Sequence, residues 1–217
     1  MQTIQPLDTI KASDFYQYGD FYKINHHLDI SKINQDLKPF NNKWSQYNTR
    51  KPYIRREGLC VFNYCGKCGP NPALDSLKEY NRLHGTNLTE TDAHVPTELY
   101  HSSPELQRYF KPLLGSVVRT HFLKLKPGGF FPPHRDHTRG IQNSIRIIIP
   151  VRHCAPPSSN FILEDKILYM DHGSSYIINT TKLHWLFNAD SLNSSIWLVI
   201  NAKINKQTME FVESIMI

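Results

Sequence analysis

The stretch LKPGGFFPPHRD, residues 125–136, restricts the fold and the chemistry of this chain more than any other segment. It starts where a strand-like run over residues 117–125 ends, continues through a Pro-Gly-Gly turn, and finishes with His134 and Asp136, two positions apart. Alternate side chains of a β-strand point to the same side, so these two residues can reach one metal ion. The stretch therefore predicts a metal-binding edge in a β-rich domain.

The sequence that follows this stretch consists of short strand-like segments separated by turns. The clearest is SIRIIIPV, residues 144–151, whose β-branched side chains favour a strand. Further segments of this type are residues 161–164, 167–170, 175–179, 184–187 and 196–204. Several short strands at close spacing are typical of an antiparallel β-sandwich or barrel.

The first half of the chain has a more mixed character. The sequence predicts one strand over residues 58–64 and helices over residues 31–40, 73–83 and 104–114. No internal repeat or low-complexity linker divides the 217 residues, a length that fits one domain better than two. We therefore predict one domain over residues 1–217. Its parts are a mixed helix and strand segment over residues 1–115, a β-barrel core with the metal site over 116–205 and a C-terminal tail over 206–217.

The composition is that of a globular protein, with 40% hydrophobic and 20% charged residues. The formal net charge is +6 and the pI is about 9.1, a balance that favours anionic partners. No run of Lys and Arg alternates with aromatic residues, so nucleic-acid binding is not expected. There is no apolar stretch of the roughly 18–20 residues that a membrane span needs, and no signal-peptide segment at the start. The expectation is a cytoplasmic protein outside the membrane.

The four cysteines do not predict a metal or redox site. Cys65 and Cys68 form a CxxC pattern, but a zinc site needs two further ligands at a suitable spacing, and no second CxxC or HxxxH pattern exists. Gly-Pro-Asn-Pro follows the pattern, whereas a redox CxxC usually opens a helix. Reduced cysteines in a loop are the better interpretation.

A third candidate metal ligand is His184, which lies 48 residues beyond Asp136 and opens another strand-like segment. Two imidazoles and one carboxylate form the facial triad of non-heme Fe(II) oxygenases, which leaves adjacent coordination positions open. A second His-x-Asp pattern, His27-Leu28-Asp29, lies in a polar stretch before a predicted helix, and we interpret it as incidental.

Three segments together resemble a known family. The metal-site stretch is similar to the pattern L-x-PG-x4-PHxD, residues 145–151 (IRIIIPV) to the strand lRlhiPl, and residues 184–188 (HWLFN) to the segment HxxxN. In combination they resemble the aspartyl/asparaginyl β-hydroxylase-like branch of the Fe(II)- and 2-oxoglutarate-dependent oxygenases, which includes some proline hydroxylases. The resemblance covers roughly residues 117–204.

This resemblance implies a fold and an activity. The fold would be α+β or mainly β, with a double-stranded β-helix core (jelly-roll, cupin-like) and N-terminal helices packed on it. His134, Asp136 and His184 would bind Fe(II), with 2-oxoglutarate and O2 as cosubstrates. The activity would be hydroxylation of an amino-acid side chain, free or in a peptide or protein, with release of succinate and CO2. A non-catalytic cupin-like barrel that binds a metal or a small acid is the alternative.

Five further residues are predicted to bind cosubstrate or substrate. Arg146 is the candidate partner of the distal carboxylate of 2-oxoglutarate, because a buried carboxylate needs a paired cation; the alternative is a surface Arg on an edge strand. The family's second Arg, ten residues after the distal His, is replaced by Ser194 or Ser195, which are predicted hydroxyl donors to the acid. Asn188 is predicted to brace the loop after His184, and His121 to line the substrate pocket.

Tryptophans are predicted in the core. Trp185 and Trp197 lie in two of the strand-like segments of the second half, and large aromatic side chains contribute much of the buried apolar surface of a β core.

Overall fold

The computed structural model describes residues 10–136 and 143–216. The strands in these ranges are β1 (Phe21–His27), β2 (Ser45–Gln46), β3 (Arg56–Asn63), β4 (Val95–Pro96), β5 (Thr120–Leu125), β6 (Phe130–His134), β7 (Ser144–Arg152), β8 (Ser159–Leu163), β9 (Lys166–Leu168), β10 (Ser174–Ile178), β11 (His184–Asn188) and β12 (Ser195–Lys203). The helices are α1 (Ala12–Phe15), α2 (Ile30–Asp36), α3 (Leu77–His84), α4 (Glu98–Ser102), α5 (Pro104–Phe110) and α6 (Lys206–Ser214). Short 3-10 turns are Lys38–Phe40, Pro52–Ile54, Pro72–Leu74, Glu90–Asp92 and Lys111–Leu113.

The strands form two antiparallel sheets. The larger has the order β1-β10-β7-β12-β5-β3-β2, with β4 paired to β3, and the smaller has the order β6-β11-β8-β9. From β5 onward the chain winds between them, with β5, β7, β10 and β12 in the larger sheet and β6, β8, β9 and β11 in the smaller. This winding is that of a double-stranded β-helix, so the predicted jelly-roll core is confirmed.

The N-terminal part widens the larger sheet and covers its outer face. Strand β1 pairs with β10 at one edge, while β3 and β2 continue from β5 at the other. The helices bury apolar side chains against that face. The buried residues that line this layer include Phe15, Ile33, Leu99, Leu106, Phe110, Ile147, Ile149, Leu198 and Val212. Val212 belongs to α6, so the predicted C-terminal tail contains a helix that packs on the sheet.

A second apolar layer fills the space between the two sheets. It includes Leu123, Leu125, Ile148, Phe161, Leu186 and Trp197. The two-residue period of β7 separates the layers: Ile147 and Ile149 face the helices, whereas Ile148 faces the smaller sheet. Arg146, two positions before Ile148, therefore points into the space between the sheets. Trp197 is 1% exposed, as predicted, whereas Trp185 is only half-buried.

The CxxC segment lies in the loop after β3. The Asn63 side chain shapes it, because its Oδ1 accepts from the backbone N–H of Cys65 and of Gly66. Cys65 and Cys68 are free thiols, and neither belongs to the group of converging metal ligands found in residues 10–136 and 143–216. No helix in these residues is long and apolar enough to cross a membrane.

Candidate metal centre

Two neighbouring strands of the smaller sheet bring the three predicted ligands together. Strand β6 ends at His134, β11 begins at His184, and these two residues are directly paired across the strands. Their ring centres lie 4.2 Å apart. The chain leaves β6 through Asp136, whose backbone N–H donates to the carbonyl of Thr180 at 2.8 Å. This contact holds the carboxylate beside both imidazoles.

The geometry of the three side chains suits one ion. His134, Asp136 and His184 each offer a ligand atom, and these atoms all lie within 4.8 Å of one another. Nε2 of His134 is 3.5 Å from Oδ1 of Asp136. The His184 side chain is only 2% exposed, whereas His134 and Asp136 retain 29% and 31%. The site is therefore closed toward the barrel interior and open toward solvent on its other side.

The backbone selects the tautomer of both imidazoles. Nδ1 of His134 lies 2.8 Å from the carbonyl of Pro132, and Nδ1 of His184 lies 3.0 Å from the carbonyl of Lys182. A carbonyl only accepts, so Nδ1 carries the proton in each ring. The lone pair is then on Nε2, the nitrogen that faces the site. Such hydrogen bonds are typical of metal-binding histidines.

The charges around the site also fit a cation. Oδ2 of Asp136 is buried and has no hydrogen-bond partner among the described residues, although Nη1 of Arg146 lies 2.7 Å away in an ion pair. Burial raises the pKa of Asp136, but Arg146 and the two imidazoles lower it more, so the pKa is well below its usual value. Burial lowers the pKa of His184 to about 4, an effect that Asp136 partly opposes. The carboxylate is therefore ionised and the imidazole neutral near pH 7, the states that bind a metal.

Arg146 lies in the interior of the barrel. It stands on β7, between β10 and β12 in the larger sheet, and 17% of its side chain is exposed. Its Nε donates to Oδ1 of Asn201 at 3.0 Å, and Glu90 lies 3.9 Å from its Nη2. The alternative of a surface Arg on an edge strand is therefore wrong.

Ser195 lies away from Arg146, and the predicted role of Ser194 and Ser195 as hydroxyl donors to the acid stays a prediction. Arg146 is paired with Asn201 across β7 and β12, whereas Ser195 begins β12 and is paired with Leu125 of β5. Six residues of extended strand separate Ser195 from Asn201, about 20 Å. Asn201 is the polar neighbour that sequence reasoning missed, although an Asn in the apolar run IWLVINA was a visible signal.

Asn188 braces the loop after β11, as predicted, and none of its hydrogen bonds goes to a candidate ligand. It is fully buried. Its Nδ2 donates to the carbonyls of Leu125 at 2.9 Å and Asn193 at 2.8 Å, and its Oδ1 accepts from the backbone N–H of Asp190. These contacts engage both atoms of its amide group, and its predicted contact with the cosubstrate stays a prediction.

Replacement of Asn188 by Ala is expected to destabilise the protein by about 1–3 kcal/mol, because buried carbonyl groups lose their donor. Chemical denaturation measures this change. The control is Asn160→Ala, since Nδ2 of Asn160 makes a single bond to the Pro157 carbonyl near the surface; a change within about 0.5 kcal/mol is expected there. Equal losses in the two variants would contradict the bracing role.

His121 faces the barrel interior from β5. It is 4% exposed, and its Nδ1 has no hydrogen-bond partner among the described residues. Burial and the nearby Arg119 and Arg146 lower its pKa well below 6.5, so the ring is neutral. A residue so deeply buried can touch only a ligand that enters the barrel, and the role of His121 in a substrate pocket stays a prediction.

A buried polar network next to His121 was not predicted from the sequence. Arg119 donates from Nε to the carbonyl of Ala73, from Nη1 to Glu90 and from Nη2 to the Tyr47 hydroxyl. These contacts tie the N-terminal part to β5 and fix Tyr47 against the ring of His121, with ring centres 5.3 Å apart. The network therefore positions one wall of the barrel interior.

No protein-family model matches the chain, and no curated protein matches it. Solved structures that resemble it include a prolyl-4-hydroxylase from Pseudomonas putida, with 11% identity and a TM-score of 0.49 over 88% of this chain and 96% of that chain. The collagen prolyl hydroxylase of Paramecium bursaria Chlorella virus-1 has 11% identity and a TM-score of 0.46, over 86% of this chain and 97% of that chain. A 2OG-Fe(II) oxygenase family oxidoreductase from Burkholderia pseudomallei has 12% identity and a TM-score of 0.39, over 69% of this chain and 67% of that chain. The identities are low, so what the site can do follows from this chain's own side chains.

Proposed function

We propose that this chain is an Fe(II)- and 2-oxoglutarate-dependent dioxygenase that hydroxylates an amino-acid side chain, free or in a peptide or protein. The observation that carries the proposal is the convergence of His134, Asp136 and His184, whose ligand atoms lie within 4.8 Å of one another. Two imidazoles and one carboxylate on one side of an octahedral ion leave room for a chelating 2-oxo acid and for O2.

The donor set fits Fe(II) on three grounds. Both Nε2 atoms face the site with free lone pairs, the Asp136 carboxylate is ionised, and the ligand atoms of the three residues lie within 4.8 Å of one another. When bound, Fe(II) with 2-oxoglutarate supplies the oxidising chemistry: O2 is consumed, 2-oxoglutarate is converted to succinate and CO2, and a C–H bond gains a hydroxyl group.

The protein's own contribution is charge, orientation and exclusion of water. Arg146 keeps Asp136 ionised and presents a guanidinium beside the metal position, where it can orient an acid bound there. The deeply buried His184 closes the inner side. Tyr16, which follows α1, lies near both Asp136 and Arg146, and burial raises its pKa to about 12. The N-terminal part therefore supplies a wall of the site, which supports one catalytic domain over residues 1–217.

The substrate enters from the open side of the site, where His134 and Asp136 keep about a third of their side chains exposed. An amino-acid side chain presented there, free or in a protein, is the proposed target. The cytoplasmic setting stays a prediction.

Anaerobic addition of Fe(II) and 2-oxoglutarate tests the proposal. We expect the weak visible charge-transfer band of a chelated 2-oxo acid, followed by succinate formation when O2 is admitted. His134→Ala should abolish both signals, whereas the exposed His101→Ala should retain them. A folded, Fe(II)-loaded protein without the band would overturn the proposal and favour the non-catalytic barrel that binds a metal or a small acid.

A further inference from the structure

Arg56 is a buried cation with no paired anion among the residues that the structure describes. Its residue is 3% exposed, and neither Nε nor Nη1 has a hydrogen-bond partner among the described residues. The nearby Asp75 carboxylate is already bound by Arg50, at 2.9 and 2.6 Å. A buried charge without a partner is strongly unfavourable, and an Arg remains charged at all ordinary pH values. The position is therefore built for an anion that binds from outside the chain.

Two aromatic rings hold the guanidinium in place. Its central carbon lies 4.0 Å from the centre of the Phe131 ring and 5.0 Å from that of Tyr47. Stacking on a ring face compensates part of the charge and fixes the plane of the group. A guanidinium carries its N–H groups in its own plane, so stacking on its faces leaves them available to a carboxylate, which fits the guanidinium fork through two parallel bonds.

Arg56 points into the barrel, on the same side as the metal position. It is paired with Leu125 of β5, which is in turn paired with Ser195 of β12. Directly opposed residues of neighbouring strands face the same side of a sheet, and Leu125 belongs to the layer between the sheets. Arg56 therefore shares the interior face with Ser195, the position where the resemblance leads one to expect a second Arg.

Phe131 connects Arg56 to the metal position. The Phe131 ring centre lies 4.9 Å from that of His134 and 4.0 Å from the central carbon of the Arg56 guanidinium. The guanidinium and the imidazole therefore pack against the same ring. His121 marks the same region. Its ring packs against Tyr47, and its Nδ1 also has no partner within residues 10–136 and 143–216. Two buried polar groups without partners in these ranges thus flank the interior next to the metal position.

We infer that Arg56 binds the distal carboxylate of a dicarboxylic 2-oxo acid whose keto-acid end is held at the metal, an inference that rests on the proposed function. Arg146, 2.7 Å from Asp136, then lies at the metal-bound end of the acid and not at its distal end. Arg56 stands on β3, two strands away from β12 on the same face of the larger sheet. The site selects 2-oxo acids that carry a second carboxylate.

The test compares two acids on the anaerobic Fe(II) protein by titration of the chelate band. 2-Oxoglutarate has the distal carboxylate, and 2-oxobutyrate lacks it. Arg56→Met should weaken 2-oxoglutarate binding by roughly 10–100-fold and leave 2-oxobutyrate binding within about twofold. Arg56→Lys should recover part of the loss, since it restores the charge without the fork. The matched control is Arg152→Met, because Arg152 binds Asn34 and not the barrel interior.

The thermal stability of the metal-free variants separates ligand binding from a structural role. Removal of an unpaired buried charge should leave the melting temperature of Arg56→Met unchanged or raised. A lowered melting temperature, or equal weakening of both acids, would assign Arg56 to the packing of Phe131 and overturn the inference. In the wild type, 2-oxoglutarate should bind at least 10-fold more tightly than 2-oxobutyrate, and equal affinities would overturn it as well.

The outcomes distinguish this inference from the proposed function. If the wild type forms a chelate band with both acids and Arg56→Met binds 2-oxoglutarate normally, only the role of Arg56 fails. If the wild type forms no band with either acid, the proposed function fails and the inference fails with it.

Discussion

Replacement of His184 by Ala is expected to weaken Fe(II) binding by more than ~100-fold and to abolish succinate formation. Loss of a residue that merely orients a metal ligand typically costs 10–100-fold in affinity, so loss of a ligand should cost more. His184 is also the most buried of the three candidate ligands, at 2% exposure, so water replaces its nitrogen poorly. Calorimetric titration with Fe(II) under anaerobic conditions measures the affinity.

The chain provides its own control for this experiment. His27 and Asp29 repeat the His-x-Asp spacing, but His27 is exposed at the end of β1, and the Asp29 side chain caps α2 by accepting from the N–H of Lys32 at 3.1 Å. His27→Ala should therefore bind Fe(II) as the wild type does. Equal affinities of the His184 and His27 variants would exclude His184 as a ligand.

The metal constellation could be predicted because it depends on local spacing. Side chains two apart share a side of an extended chain, and this placed His134 beside Asp136 without knowledge of the fold. His184 came from the position of a His at the start of a strand-like segment. The pairing of His134 with His184 in the smaller sheet then required only that β6 and β11 be neighbours, as the jelly-roll winding makes them.

Contacts that depend on strand register could not be predicted in this way. The pairing of Arg146 with Asn201 could not be predicted, because spacing along the chain does not say which residues of β7 and β12 are opposed. The register also shifts between Ile196 and Trp197, where the ladder is irregular. A pairing set by such an irregularity has no signal in either strand alone.

Strands β1 and β6 are among those that the sequence analysis did not list, because their sequences are not strand-like. Strand β1, FYKINHH, buries only Ile24 completely and is rich in polar residues. It is a strand because its backbone pairs with β10, and its own sequence has no apolar alternation. Strand β6, FFPPH, contains two prolines. It lies at the edge of the smaller sheet, where a missing N–H is tolerated.

The surroundings of Arg56 were equally hidden. The sequence placed it just before a predicted strand, where a charged residue is ordinary. Only the packing shows that Phe131 and Tyr47 enclose it and that no carboxylate within the described ranges pairs with it. The absence of a partner is a property of the whole fold, and it therefore has no signature in the local sequence.

Replacement of Trp197 by Ala is expected to destabilise the protein by about 3–5 kcal/mol, which corresponds to a melting temperature lower by roughly 6–20 °C. Trp197 is 1% exposed, and its ring meets that of Phe161 edge to face, with centres 6.1 Å apart. The two residues join the larger sheet to the smaller one, so the substitution opens a cavity in the layer between them. Calorimetry or thermal circular dichroism measures the change.

Trp185→Ala is the matched control. Trp185 lies on β11, the strand next to the one that carries Phe161, and it is only half-buried. Its replacement should lower the free energy of unfolding by less than about 2 kcal/mol.

The Trp197 and Trp185 variants should also differ in their response to metal. Phe161 stacks on the imidazole of His184, with ring centres 6.1 Å apart and planes within 8° of parallel. A Trp197 variant that lets Phe161 move should therefore gain less stability from added Fe(II) than the wild type does. An equal gain in the Trp197 variant and in the wild type would show that His184 holds its position without the packing of Phe161 against Trp197.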